Sequence, residues 1–182
     1  MRAELRSLQR RVGVTFVLVT HDQEEALSIS DLIGVMNQGR LEQVGEPREV
    51  YHRPRTKFVA SFLGSGNLLL GRLSSQGVQL GSIHFPLDRE AHPIQEEGRV
   101  QVLFRPEDVA LSPSADGLDC PVLGQATVEE VSFGGSYERL RLRLPPIPGV
   151  RPISPPVAFG SSSILVEATR YPDQASRFPL QP

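Results

Sequence analysis

The chain has 182 residues, 39% of them hydrophobic, with a formal charge of −2 and a pI near 6.1. That length suits one ordinary domain or two small ones, and the weak acidity removes the basic footprint of a protein held by nucleic-acid phosphates, so nucleic acid is not an expected partner. Cys120 is the sole cysteine, which rules out a disulfide within the chain, and neither a signal peptide nor a run of about 18 apolar residues that would span a membrane is legible, so the expected home is cytoplasmic.

Leu5, Leu8 and Val12 recur at helical spacing with Arg6, Arg10 and Arg11 between them, so Ala3 to Arg11 is predicted to be an amphipathic helix, ended by Gly13. Thr15 to Val19, TFVLV, is short, apolar and β-branched, the pattern of a parallel strand covered on both faces, and helix followed by strand implies an α/β crossover. Asp22 is placed to cap a helix over Gln23 to Ser30, with Glu25 at capping-box spacing. Leu32 to Met36 and Leu41 to Val44 flank NQGR and predict a hairpin in which Gly39 takes a positive φ. Pro47 opens a short helix that Pro54 stops, and a second helix follows, with Thr56 as cap, Phe58, Val59, Phe62 and Leu63 as its apolar side, and Gly64 as terminator.

From Ser65 onward the pattern changes to short strands with Gly and Pro punctuation. The candidates are residues 67–73, 77–80, 82–85, 99–104, 126–133, 137–144 and 163–169. In ERLRLRL, Leu140, Leu142 and Leu144 point one way and Arg139, Arg141 and Arg143 the other, so one face is buried. The proline-rich stretch from Pro145 to Pro156 is expected to be a long stiff loop. A small barrel or sandwich is the expected outcome.

Chemistry-bearing motifs are few. Lys57, the only lysine, sits in RPRTKF with no glycine-rich loop before it, so the chain holds no Walker A loop, whose backbone amides and lysine grip the phosphates of ATP. Gly134 and Gly135 in VSFGGSY look superficially like the LSGGQ signature of ATPases, but the flanking residues belong to strands. His52, His84 and His92 have no spacing that suggests a metal site, and none is expected.

The stretch THDQEEAL is the most informative. A histidine just beyond a strand end can hydrogen-bond a transferring phosphoryl group and orient a water, or it can be no more than the residue before a helix cap. Taken with TFVLV before it and NQGRLEQVGEPREVYHRPRTKFVASFLG after it, the segment from Arg2 to Gly64 resembles the nucleotide-binding subunit of bacterial ABC importers, in the branch that imports sulfate, molybdate, polyamines, ferric iron or sugars. The resemblance implies that His21 is the switch histidine, catalytic and in contact with the γ-phosphate of ATP. Gln23, Glu24 and Glu25 receive no catalytic role from it. It also implies that the P-loop, signature and catalytic glutamate lie upstream of Met1, so this chain alone is expected neither to hydrolyse ATP nor to bind ATP and Mg tightly, and its first third is expected to be poorly stable.

RPEDVALSP, from Arg105 to Pro113, supports a likeness of the remainder to the OB-like accessory barrel called TOBE, which bridges ATPase subunits and in some members binds a regulator. Arg105, Glu107 and Asp108 are then candidates for a regulatory ligand, or equally for stabilising the turn after Phe104. The arginine row is likewise either an oxyanion site or a solvated face. The expected organisation is therefore an α/β remnant of a P-loop domain over residues 1–44, a helical connector over 45–65 and an all-β OB-like regulatory domain over 66–182. Expected partners are a second ATP-binding subunit, membrane permease subunits, which would hold the chain at the inner membrane, and a small oxyanion or metabolite. The alternative is a stand-alone oxyanion- or metabolite-sensing module without ATPase activity. A single-strand nucleic-acid binder would need a basic groove with stacking aromatics, which 6% aromatic content and no tryptophan do not supply.

Overall fold

Helix α1, Arg2–Val12, forms as its spacing predicts and stops where the amide of Gly13, at φ +69°, donates to the carbonyl of Gln9 at 2.9 Å. The computed structural model describes residues 2–87, 98–114, 116, 118–157 and 162–177, and the chain divides into two compact units, Met1–Gly64 and Ser65–Pro182. His92 lies outside the described residues. The whole is a mixed α/β chain in which every described strand pairing is antiparallel.

In the first unit the expected strand over Thr15 to Val19 is absent. These residues form no ladder, and Val17 and Val19 are 87% and 91% exposed. A strand exists only by exchanging backbone hydrogen bonds with a neighbour. The two described strands of this unit, β1 (Ile33–Asn37) and β2 (Arg40–Gly45), pair with each other, and Thr15 to Val19 lies on the outer edge of neither. The expected parallel crossover is therefore not formed. The hairpin itself is as expected, with Gln38 at φ 49° and Gly39 at φ +78°, the pair of positive angles that a two-residue turn requires for its twist to match the strands.

Helix α2 runs Gln23–Ile29 from its Asp22 cap, α3 runs Pro47–His52, and α4 runs Lys57–Phe62 from its Thr56 cap. Val50, Val59 and Leu63 bury against Ile33 and Val35 of the hairpin, with Ala26, Leu27, Tyr51 and Phe58 at the margin. Residues 47–63 thus contribute three of the five buried side chains of this core. Gln43, buried among them, fixes the turn between α3 and α4: its Nε2 donates to the carbonyl of Arg53 at 3.1 Å and its Oε1 accepts from the amide of Arg55 at 2.8 Å.

The second unit contains two sheets. One has the order β5 (Ile83–Phe85), β4 (Gly77–Leu80), β3 (Asn67–Ser74), β6 (Gly98–Phe104), with β9 (Arg151–Ser154) also on β3. The other has the order β10 (Ile164–Arg170), β8 (Glu138–Leu144), β7 (Thr127–Phe133). Helix α5, Pro172–Arg177, follows β10. Among the described residues these sheets do not close into the expected barrel.

One core joins them: Leu69 and Leu80 from the first sheet meet Leu140, Leu142, Leu144, Ile164, Val166 and Ala168 from the second. The alternation in ERLRLRL therefore resolves as expected, with leucines in and arginines out. Asn67, fully buried, ties β3 to β10 as a strand would: its Nδ2 donates to the carbonyl of Glu167 at 2.8 Å and its Oδ1 accepts that residue's amide at 2.7 Å. The stiff loop expected over Pro145 to Pro156 is interrupted by β9, which pairs with Leu68, Leu69 and Leu70. Proline is tolerated there because, among the described residues, Pro152 lies on a strand paired on one side alone, where a missing amide costs little.

Candidate functional site

The turn that carries His21 is shaped by two local hydrogen bonds. The amide of Asp22 donates to Thr20 Oγ1 at 3.0 Å, and Asp22 Oδ1 accepts the amide of Glu25 at 3.0 Å. Both act on the backbone beside His21 and leave its ring exposed to solvent. The expected placement at the exit of a parallel sheet is not found in this structure, because Thr15 to Val19 makes no strand. What remains is an exposed imidazole on a capped turn.

Gln23, two residues on, has a structural contact that its spacing did not reveal. Its Oε1 accepts the amide of Gly64 at 2.7 Å across a separation of 41 residues. Glu24 is exposed and Glu25 half-buried. The α2 amide that Asp22 caps is already used, and the segment before Lys57 is the RPRT turn held by Gln43. In this unit the described side chains place one exposed imidazole, that of His21, beside the Asp22 cap.

The second motif resolves into a turn. Residues Pro106–Asp108 form a 3-10 turn directly after β6, and the amide of Arg105 donates to Asp108 Oδ2 at 2.9 Å. Arg105 is only 2% exposed, and its Nη1 donates to the carbonyl of Ser65 at 3.1 Å. Glu107 and Asp108 face outward. The three residues are close in space, but the guanidinium, the group best suited to an anion, is turned into the unit.

The arginine row meets carboxylates from the neighbouring strand. Arg141 lies 3.2 Å from Glu130, Arg143 pairs with Glu129 and donates to Ser163 Oγ at 2.8 Å, and Arg139 lies over the ring of Tyr137 at 5.6 Å. Glu167 of β10 is in register with Arg141 on the other side. This is a solvated ion-pair face whose positive field is largely offset. His52 packs edge-on to Tyr51 with ring centroids 5.1 Å apart, and His84 sits opposite Gln79 in the β4–β5 pair. Among the described residues no group of three His, Cys, Asp or Glu side chains is arranged to hold a metal, and no helix is long and apolar enough to cross a membrane.

The first unit thus carries an exposed histidine on a capped turn together with a hairpin and a helix pair, and the second is β-rich with Arg105 buried after β6. No family model matches the chain. It is 40% identical over 183 residues, the whole of this chain and 45% of the relative, to the sulfate/thiosulfate import ATP-binding protein of Chromobacterium violaceum. It is 40% identical over 152 residues (75% of this chain, 32% of the relative) to a spermidine/putrescine import ATP-binding protein of Frankia alni. A further relative, the Fe(3+) ions import ATP-binding protein of Rhizobium meliloti, is 40% identical over 153 residues, 80% of this chain and 38% of its own length. The common class is the ATP-binding component of an import system. The chain belongs to the family of ABC importer ATP-binding subunits, and it spans less than half the length of these curated relatives.

Proposed function

We propose that the chain serves as the C-terminal part of the ATP-binding subunit of an ABC importer, carrying the switch-histidine segment and a regulatory β-rich unit of the OB-like TOBE kind. The observation that carries this reading is the 40% identity running through the whole chain, from the His21 segment to the β-rich unit. In this role His21 contacts the γ-phosphate of ATP, and its exposure on a turn fixed by Asp22 and Thr20 supports that assignment, because a phosphate can approach the ring unobstructed. ATP and Mg belong to the complete subunit, where the phosphate-loop, signature and acidic strand supply the remaining contacts and coupling to solute uptake requires permease partners and a second ATP-binding subunit. A cytoplasmic position against the inner membrane follows from those partners. Since the relatives are named for sulfate, polyamines and iron in turn, the cargo is set elsewhere than in the residues they share with this chain.

The test is ATP turnover by this chain co-purified with a polypeptide bearing the P-loop, signature and acidic strand. Turnover that falls at least a hundredfold in His21→Ala, together with none from the chain alone, is the expected result. Steady turnover by the isolated chain, or a His21→Ala assembly as active as the parent, would overturn the reading. Tight binding of sulfate, molybdate or a polyamine to the isolated chain, seen by calorimetry, would instead favour a sensing module, with Arg105, Glu107 and Asp108 as the first residues to vary.

A further inference from the structure

The two sheets of the second unit treat their arginines differently. On the sheet of β7, β8 and β10, Arg141, Arg143 and Arg170 each meet a carboxylate from a neighbouring strand. The described strands of the other sheet, β3, β4, β5, β6 and β9, hold Arg72, Arg99, Arg151 and His84 and not one aspartate or glutamate. Among the described residues no carboxylate forms an ion pair with any of those three arginines.

Strand register gathers these cations on one face. Arg72 of β3 lies directly opposite Arg99 of β6 and, on its other side, opposite Gln79 of β4, which in turn faces His84 of β5. Residues opposite one another in antiparallel strands project from the same side of the sheet. All four are exposed while Leu73 and Leu80 beside them are buried, so the row lies on the solvent side. Leu70, two residues before Arg72 and on the same side, is flanked by the exposed Gln101 of β6 and Arg151 of β9. Cross-strand geometry sets the Cβ atoms of Arg72 and Arg99 about 5 Å apart and puts Arg151 on the diagonal from Arg72 at about 7–8 Å. Like charges directly opposite one another destabilise a sheet, and no acidic residue of these strands offsets them.

We propose that this face binds a tetrahedral dianion of the phosphate class, gripped between the guanidiniums of Arg72 and Arg99, with Arg151 adding its charge from the next row and Gln79 a neutral donor beside it. Each guanidinium presents its donors as a planar fork that matches two oxygens of a phosphoryl group, and forks on adjacent strands reach different oxygens of one anion. A dianion neutralises both opposed charges at once. His84 is not counted in the grip, because its ring leans toward Gly77, where an added Cβ would meet its Cε1 at 3.2 Å. Such an exposed row admits the dianion either free or carried on a larger molecule. The site involves neither His21 nor the turn of Arg105, Glu107 and Asp108, so it does not rest on the function proposed above.

Titration of the intact chain with inorganic phosphate, at an ionic strength held constant with sodium chloride and followed through the arginine Nε–Hε resonances, tests the site. Saturable shifts at Arg72 and Arg99 are expected, and Arg72→Gln is expected to weaken the affinity about fivefold or more, because one of the two forks is lost. Arg141→Gln, on the sheet whose arginines are already paired, is expected to leave it within about twofold of the parent. Glycerol 3-phosphate separates the two sources: tighter binding than inorganic phosphate assigns a monoester, and equal or weaker binding assigns the free anion, either of which supports the site. Shifts that rise linearly with phosphate overturn it. So does an affinity in Arg72→Gln within twofold of the parent, or an equal loss in Arg72→Gln and Arg141→Gln. Should Arg72→Gln disturb the buried Leu80 amide, Arg99→Gln is read by the same criteria. Steady ATP turnover by the isolated chain, which would overturn the functional reading, leaves these outcomes unchanged.

Discussion

The two units bury apolar surface to different extents. In the second, eight aliphatic side chains from two sheets form one core, and even its polar interior is arranged in matched pairs, with Asn67 on Glu167 and Arg170 donating to Glu138 at 2.8 Å. In the first, five buried side chains from a hairpin and a helix pair do the same work, while Val14 to Val19 and the apolar side of α1 remain open to solvent. The difference lies in how each region is held in place. The β-rich unit is rigid by packing, and the histidine segment is held by a cap, a threonine hydroxyl and one glutamine carboxamide. Elements with few buried contacts open at low free-energy cost, which is where movable functional groups are found.

The largest test of that contrast lies in the second core. Leu140→Ala, at a side chain 1% exposed, is expected to cost about 2–5 kcal/mol and to lower the denaturant midpoint of the second unit in peptide-resolved exchange, with the first unit's midpoint unchanged. Equal losses in both units would show that they unfold as one body. A smaller effect is expected for Asp22→Ala, which removes the acceptor of the Glu25 amide. It should cost about 1 kcal/mol and appear as faster exchange over residues 25–29 alone. The smallest is expected from Val17→Lys with Val19→Lys. At 87% and 91% exposure, these changes should move stability by no more than about 0.5 kcal/mol and reduce self-association in sedimentation. A loss of several kcal/mol there would mean that this segment is covered in solution.

Legibility followed the range of the physics. The β3–β8 strands and the hairpin were readable because alternation, β-branching and turn glycines act over a few residues, and the lone surprise among the strands, β9, is the one whose own residues disfavour it. Arg151–Ser154 is a strand because Leu68 to Leu70 present a free ladder edge to it. The opposite error occurred at TFVLV, whose composition is that of a buried strand and which has no described neighbour to pair with. At the site, His21 and its Asp22 cap were visible locally. The partners of Gln23 and Arg105, 41 and 40 residues away, were not, nor were the carboxylates facing the arginine row.

From residue order alone came the caps, the turns, the inward leucines of β8 and the lack of a phosphate-loop motif, since each depends on side-chain chemistry at fixed short spacing, and the importer likeness, which rests on the resemblance of Arg2 to Gly64 to a known family. Tertiary structure alone decided which strand-like segments found partners, that Arg105 points inward, and that Gln23 reaches Gly64. A backbone hydrogen bond needs a second group at under about 3.2 Å, and which group arrives there is a property of the folded chain.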